Sequence, residues 1–199
     1  LEEFIKAVLR GAAKILGCSS ANLILFNETK GEISVRLGTR ATSYPILAQL
    51  EEVLGDSFRG ITFPMDRAED SLICRCWRDQ AILETSSLSV LVGSALAPGA
   101  LTQMEQLIGE HHYACVPALS GSRNYGVILF EKEGAAAFSR QQSEVVLRFA
   151  RRIGEILEND LMGQGQTLIS GAHTSGREYL LFDGEGHLVG QGPGHGARM

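Results

Sequence analysis

The 199-residue sequence has no uninterrupted apolar run long enough to cross a membrane. Its longest apolar stretch, Leu88 to Leu101, is broken by serine, glycine and proline, whereas a transmembrane helix needs about 20 apolar residues. The N-terminus also lacks the basic and apolar regions of a signal peptide. Because Leu1 begins inside a helical pattern, we expect a fragment of a longer polypeptide that does not contact a membrane.

Cysteine is scarce as well. Four cysteines are spread over the whole chain, at Cys18, Cys74, Cys76 and Cys115. Small secreted domains that depend on disulfides have a far denser pattern. We therefore expect reduced thiols and a cytoplasmic location.

The chain has fewer basic than acidic residues. It contains 18 Lys and Arg residues and 23 Asp and Glu residues, so its net charge is −5. This balance argues against a surface that binds nucleic acid or an anionic membrane. The hydrophobic fraction of 44% and the charged fraction of 21% are typical of a globular domain, so a folded core is expected.

The first forty residues predict a helix followed by a hairpin. Apolar side chains recur at helical spacing over residues 2–16, and Gly17 is a typical C-terminal stop. The segment 22–27 has the composition of a buried strand, and a turn at 28–31 leads to a second strand over 32–37. In that second strand apolar residues alternate with polar ones, which indicates one buried face.

The middle of the chain has mixed patterns. It predicts a short helix over Tyr44–Leu54, a short strand at Ile61–Phe63, a helix around Asp70–Arg78, an extended segment at Ala81–Leu83 and a helix over Thr102–Glu110. The stretch 88–101 is ambiguous between helix and strand.

The C-terminal part predicts strands over Tyr113–Leu119 and Tyr125–Phe130, joined by a polar turn. Ser139 and Gln142 then have the spacing of a capping box that begins a long amphipathic helix, 140–161. We expect this helix to end at Gly163-Gln-Gly165. Residues 163–199 are glycine-rich and predict a linker with one hairpin, 178–182 with 187–190.

This order of elements resembles a GAF domain over residues 1–162. The resemblance rests on the first strand at 21–26, the segment 71–83, the strands 112–119 and 125–131, and the helix 138–159. It implies an α+β fold with a central antiparallel sheet of five or six strands. The terminal helices would lie on one face and variable pocket helices on the other. The segment Phe182–Val189 resembles the opening hairpin of a PAS domain, so the chain would include the start of a second domain.

GAF resemblance implies a regulatory sensor, without catalysis, that binds a small molecule whose identity the sequence does not give. Tandem GAF and PAS segments are usual in two-component sensor kinases and ligand-controlled transcription regulators. The site residues expected to line the pocket are Arg36, Phe58, Cys74, Cys76, Trp77, Tyr113 and Cys115. No cofactor can be named. The segment 71–76 also matches a cysteine-bearing part of GAF-fold sulfoxide reductases, but the segment with their attacking thiol is missing.

Two alternatives remain open. Cys74 and Cys76 could form a thiol or metal redox sensor, with His111, His112 and Cys115 as further ligands. The second alternative is a dimerisation module without a ligand.

A homodimer through helices 2–16 and 140–161 is expected in either case. Apolar positions 146, 149, 153 and 156 follow the 3-4-3 spacing of a coiled-coil face. The C-terminal helix would then pass a signal to a covalently linked output domain.

Overall fold

The computed structural model describes residues 1–40, 49, 52–53, 62–134, 136–175, 180–182 and 188–191. Side chains are described over residues 1–35, 49, 52–53, 62–134 and 136–160. The chain divides into two compact units, Leu1–Glu155 and Ile156–Met199. A domain boundary at residues 162 and 163 stays a prediction.

The described chain contains five α-helices and eight strands. The α-helices are α1 (Glu2–Leu16), α2 (Leu72–Asp79), α3 (Leu88–Val92), α4 (Pro98–Ile108) and α5 (Arg140–Ser175). The strands are β1 (Ser20–Asn27), β2 (Glu32–Arg40), β3 (Thr62–Pro64), β4 (Leu83–Thr85), β5 (His111–Ser120), β6 (Arg123–Glu133), β7 (Leu180–Phe182) and β8 (Leu188–Gln191). Short 3₁₀ turns cover Asp66–Ala68 and Gly93–Ala95.

Six of these strands form one sheet in the order β3-β2-β1-β6-β5-β4. All of its pairings are antiparallel. The predicted α+β class with a central antiparallel sheet of five or six strands is therefore confirmed.

Local chemistry explains where α1 stops. Gly17 adopts the left-handed conformation at φ 68°, which glycine reaches without steric cost. The Cys18 amide then donates to the Ala13 carbonyl at 2.8 Å, which satisfies one of the last carbonyls of the helix. The predicted helix 2–16 and its stop are confirmed.

The β1–β2 hairpin contains a bulge that the sequence does not reveal. Leu23 pairs with Leu37, but the next residue, Ile24, pairs with Val35. Arg36 is therefore the extra residue of β2, and the regular alternation predicted over 32–37 is interrupted there.

The terminal helices pack on one face of the sheet. Gln142 at the start of α5 donates through Nε2 to the Leu16 carbonyl of α1 at 3.1 Å. Further along α5, Gly154 lies against the backbone of Ala118 and Leu119 in β5. The buried side chains of the two helices are Ile5, Leu9, Ala12, Ala13, Leu16, Val146, Ala150 and Ile153.

Helices α2, α3 and α4 cover the opposite face, which we call the helix-covered face. Its apolar cluster joins α2, α3 and α4 to β1, β2, β5 and β6. The buried members are Ile24, Ile33, Ala68, Leu72, Cys74, Cys76, Leu88, Leu91, Leu101, Met104, Tyr113, Cys115 and Val127.

The start of α5 agrees with the prediction, but its end does not. The Gln142 amide donates to Ser139 Oγ at 3.2 Å and the Ser139 amide to Gln142 Oε1 at 2.9 Å, as in a capping box. The helix continues through Gly163 and Gly165 to Ser175, so the predicted end at 163–165 is wrong. A glycine inside a helix costs only about 1 kcal/mol and does not break it as proline does.

The remaining predictions vary in outcome. The hairpin near the C-terminus is confirmed as β7 and β8. The predicted elements at 61–63, 70–78, 81–83 and 102–110 are present with shifted bounds, and the ambiguous stretch begins with α3. The predicted helix Tyr44–Leu54 falls mostly outside the described residues. Within the described part, no helix is both long and apolar enough to span a bilayer.

Candidate functional site

A group of polar side chains lies on the helix-covered face, at one end of its apolar cluster. We call Ser20, Asn22, His111 and Glu131 the polar cluster. The sheet register brings them together: Ser20 of β1 pairs with Glu131 of β6, which also pairs with Tyr113 of β5. Because alternate residues of a strand share a face, these side chains project on the same side as Ile24, Val127 and Cys115.

Glu131 is the centre of the polar cluster and is only 5% exposed. Ser20 Oγ donates to Glu131 Oε2 at 2.7 Å, and Asn22 Nδ2 donates to Ser20 Oγ at 3.1 Å. His111 Nε2 lies 3.8 Å from Glu131 Oε1, and its ring stacks on the Tyr113 ring at 6.3 Å. A buried carboxylate costs free energy unless it is hydrogen-bonded, so these contacts stabilise Glu131 in the interior.

The other end of the helix-covered face is aromatic. The rings of Phe26 and Trp77 are parallel to within 9°, with centroids 4.6 Å apart. Asn124 Nδ2, in β6 just after the β5–β6 turn, donates to the Trp77 carbonyl at 2.9 Å. This bond fixes the C-terminal end of α2 over the sheet. The face therefore has an aromatic end and a polar end.

Three cysteines lie between these ends, and all are buried free thiols. Burial raises the pKa of Cys76 to about 12, with a smaller contribution from Asp79. Burial also raises the pKa of Cys115 well above its ordinary value, with Cys76 as a second cause. For Cys74, burial raises the pKa and a hydrogen bond with Ser71 partly opposes it. Since the thiolate is the nucleophile and metal ligand, these protonated thiols have low reactivity.

The structure brings five of the seven predicted site residues into one cluster. Cys74, Cys76 and Trp77 reach it from α2, and Tyr113 and Cys115 from β5. The backbone of Arg36 lies in β2, but its side chain is outside the described part, and Phe58 falls outside the described residues altogether.

The two adjacent histidines point to opposite faces of the sheet. His111 contacts Glu131 on the helix-covered face, whereas His112 contacts Glu84 and Phe138 on the other side. They are therefore not arranged to bind one ion. Over the residues that the structure describes, no three His, Cys, Asp or Glu side chains are grouped so that they could hold a metal ion.

Sequence reasoning missed Ser20, Asn22 and Glu131. The available signal was Glu131, a charged residue directly after the apolar run that ends at Phe130. Nothing local paired it with Ser20, which lies 111 positions away in the chain.

Comparison with known proteins bears on the fold. No family model matches the sequence, and no curated protein matches it. A solved GAF domain/HD domain protein from Geobacter sulfurreducens is 14% identical, with a TM-score of 0.59 over 79% of this chain and 92% of that one. The fold is that of a GAF domain.

Two further solved structures have a similar fold. The GAF domain of PixJ from Thermosynechococcus elongatus, in its blue-light absorbing form, is 16% identical with a TM-score of 0.57, over 86% of this chain and 92% of that one. A domain of a two-component sensor histidine kinase protein from Sinorhizobium meliloti is 14% identical with a TM-score of 0.51, over 80% and 91%. At these identities the likeness shows the GAF fold alone.

Proposed function

We propose that this GAF-like domain is a regulatory sensor that binds a small molecule on its helix-covered face. The observation that carries the proposal is the polar cluster around Glu131, a carboxylate that is 5% exposed beside a large apolar cluster. Ligand sites combine apolar walls with a few convergent polar groups, and this face has both. A GAF domain with a blue-light absorbing form and a domain of a sensor histidine kinase protein are among the structural neighbours, which supports a sensory role.

We infer the kind of molecule from the residues on this face. A flat or aliphatic body would contact Phe26, Trp77 and the three buried cysteines. A polar group would reach the side chain of Asn22 or the ring of His111, which are both partly exposed, and the buried Ser20 hydroxyl would hold Asn22 and Glu131 in place behind them. Arg36, Phe58 and Tyr113 stay in the proposed lining, the first two from the sequence alone.

Replacing Ser20 with alanine tests the polar end of this site. We expect Ser20→Ala to weaken binding of a captured small molecule about tenfold, because it removes the hydrogen bond that Ser20 donates to the buried Glu131 carboxylate. The ligand is first sought by native mass spectrometry of the purified chain. Its dissociation constant is then measured by calorimetry on both proteins.

Ser89→Ala is the matched control, since Ser89 is exposed on α3 and its side-chain hydroxyl bonds only the Ser87 hydroxyl in the part of the chain that the structure describes. We expect it to bind like the wild type. Two results would contradict the proposal: a chain that retains no small molecule and gains no thermal stability across a metabolite library, or equal affinities for Ser20→Ala and the wild type.

We also propose a homodimer through α1 and the first part of α5. One stripe of α1 is buried, but a second apolar stripe faces outward. Its members follow a 3-4-3-4 spacing: Leu1, Phe4, Val8, Gly11 and Ile15. Leu1 and Phe4 are each 53% exposed and Ile15 is 69% exposed, as coiled-coil positions would be in a single chain. Leu147 of α5 is also exposed.

Charges placed on the outward stripe should separate the dimer. We expect the double variant Phe4→Lys with Ile15→Lys to sediment as a monomer at concentrations where the wild type is dimeric, with its melting temperature little changed at low concentration. Val90→Lys is the control, since Val90 is an exposed apolar residue on α3. A monomeric wild type, or a double variant that still dimerises with wild-type affinity, would rule out this interface.

The signal would travel along α5 to a covalently linked output domain. Ligand binding would favour one packing of α2, α3 and α4 and shift the population of α5 positions. Residues 163–199 would connect the sensor to the rest of the protein, with the β7–β8 hairpin as the start of a PAS-like domain. We place the protein in the cytoplasm, since its four cysteines are free, and its net charge of −5 argues against nucleic acid or membrane as partners.

A further inference from the structure

The short strand β4 has side chains on both faces of the sheet. Leu83 and Thr85 pair with Cys115 and Tyr113, whose side chains lie on the helix-covered face. Glu84, between them, therefore projects to the opposite face, where the terminal helices pack. β4 is also the last strand of the sheet order and only three residues long, so few hydrogen bonds resist its movement.

Glu84 holds the residue that precedes the cap of α5. Its Oε2 accepts a hydrogen bond from the Phe138 amide at 3.2 Å and lies 2.8 Å from His112 Nε2. Because a carboxylate only accepts, His112 Nε2 carries the hydrogen in this bond. Phe138 directly precedes Ser139, whose side chain caps α5.

The buried ring of His112 depends on Glu84 for its hydrogen bond. His112 is 8% exposed, and its ring lies 6.1 Å from the ring of Phe138. Lys132 Nζ lies 5.9 Å from the centroid of the same Phe138 ring. His112 Nδ1 is buried without a hydrogen-bond partner in the described part of the chain. Without Glu84, both ring nitrogens of a buried side chain would be unpaired.

The other face of β4 holds the start of a covering helix in a similar way. The Ser87 amide donates to Thr85 Oγ1 at 3.0 Å. Ser87 is the N-cap of α3, and its Oγ accepts from the Val90 amide at 3.3 Å. One three-residue strand is therefore bonded to residues at the starts of α3 and α5, which lie on opposite faces of the sheet.

We propose that β4 couples the helix-covered face to α5, with Glu84 as the positioning residue that fastens the first turn of α5. A displacement of α3 would move Thr85 and with it the Glu84 carboxylate, which would loosen or tighten the bond to Phe138. The regulatory meaning of this coupling rests on the proposed function, whereas the coupling itself is a property of the fold.

Hydrogen exchange of the full chain tests the fastening. We expect Glu84→Ala to accelerate exchange at the amides of 138–143 about tenfold, while amides of α1 keep wild-type rates. Glu84→Gln should recover most of the protection, because an amide oxygen still accepts both hydrogen bonds. The matched control is Glu69→Ala, which removes another carboxylate, an exposed one that pairs with Arg78. It should leave 138–143 unchanged.

A second pair of variants tests the coupling across the sheet. Leu83→Ala removes a side chain from the helix-covered face and should still accelerate exchange at Phe138. Phe26→Ala removes a larger side chain from the same face, but from β1, and should not. If Leu83→Ala has no effect at Phe138, or Phe26→Ala has an equal one, the proposal is overturned.

The proposal is also overturned if the amides of 138–143 exchange in Glu84→Ala as slowly as in the wild type. If Glu84→Ala does not fold, the exchange rates of Glu84→Gln, Leu83→Ala and Phe26→Ala test the proposal instead. No ligand is used, so failure of this proposal is separate from failure of the small-molecule proposal.

Discussion

Gly154→Ala is expected to lower the free energy of unfolding by about 3 kcal/mol, because α5 cannot accept a side chain at this position without moving away from the sheet. A Cβ at Gly154 would lie 2.4 Å from the carbonyl oxygen of Leu119 and 2.5 Å from its carbonyl carbon. Both atoms are backbone atoms of β5, so they cannot move aside by a rotamer change. Urea unfolding followed by circular dichroism measures the loss.

Gly11→Ala is the matched control for this prediction. Gly11 also lies inside a helix, but a Cβ there would have nothing within 4 Å. Alanine has the higher helix propensity, so the control should be neutral or more stable by about 0.5–1 kcal/mol. It also keeps the outward stripe of α1 apolar. Equal stability of the two variants would show that α5 does not pack on β5 as closely as the structure indicates.

The fold was predictable because its elements are specified locally. The helix 2–16 has an apolar stripe and a glycine stop, and Ser139 with Gln142 forms the capping box that the spacing indicates. The hairpins of β1 with β2 and β5 with β6 have polar turns between apolar runs. Each signal involves residues that are close in sequence.

Two parts of the fold were not predictable in this way. The stretch 88–101 is apolar with no clear period, and the structure breaks it into α3, a 3₁₀ turn and the start of α4. Periodicity cannot distinguish a short buried helix from a strand. The sequence pattern predicts that α5 ends at Gly163-Gln-Gly165, but two glycines cost only about 2 kcal/mol, at about 1 kcal/mol each, and the helix continues to Ser175.

The candidate site was only half predictable for a related reason. Cys74, Cys76 and Trp77 are close in the sequence and stay together on α2. The polar cluster depends instead on the register of β1 against β6, which pairs Ser20 with Glu131. A shift of one residue in that register would send Glu131 to the other face. Strand register across a hundred residues has no local signal.

Gly93→Ala is the second variant with a large expected effect, about 3 kcal/mol of lost stability. Gly93 has φ 56° and ψ −139°, a conformation that costs other residues about 1–2 kcal/mol or more. A Cβ there would lie 2.3 Å from Asp70 Oδ1 and 2.7 Å from the Ser71 amide nitrogen, so the segment around Gly93 must move away from Asp70 and Ser71. Gly121→Ala is the control, since Gly121 has φ 59° and an added Cβ would have nothing within 4 Å.

Gly93→Ala would break the contacts between Asp70 and Ser94. These contacts link two of the segments that cover the candidate site. Asp70 accepts from the Ser94 amide and from Ser94 Oγ, both at 2.9 Å. These bonds lower the pKa of Asp70. A lowered pKa in the folded state means that the bonds add stability at neutral pH and lose it as the pH falls through that pKa.

Gly93→Ala lacks the stability that the Asp70–Ser94 hydrogen bonds add, and it lacks it at every pH. Because the wild type loses this stability in acid, the difference in free energy of unfolding between Gly93→Ala and the wild type should become smaller as the pH falls. The difference between Gly121→Ala and the wild type should not change with pH. Thermal unfolding at several pH values measures both differences. A gap for Gly93→Ala that stays constant with pH would mean that Asp70 does not hold Ser94 in solution, and the segment before α4 would then lack this attachment to α2.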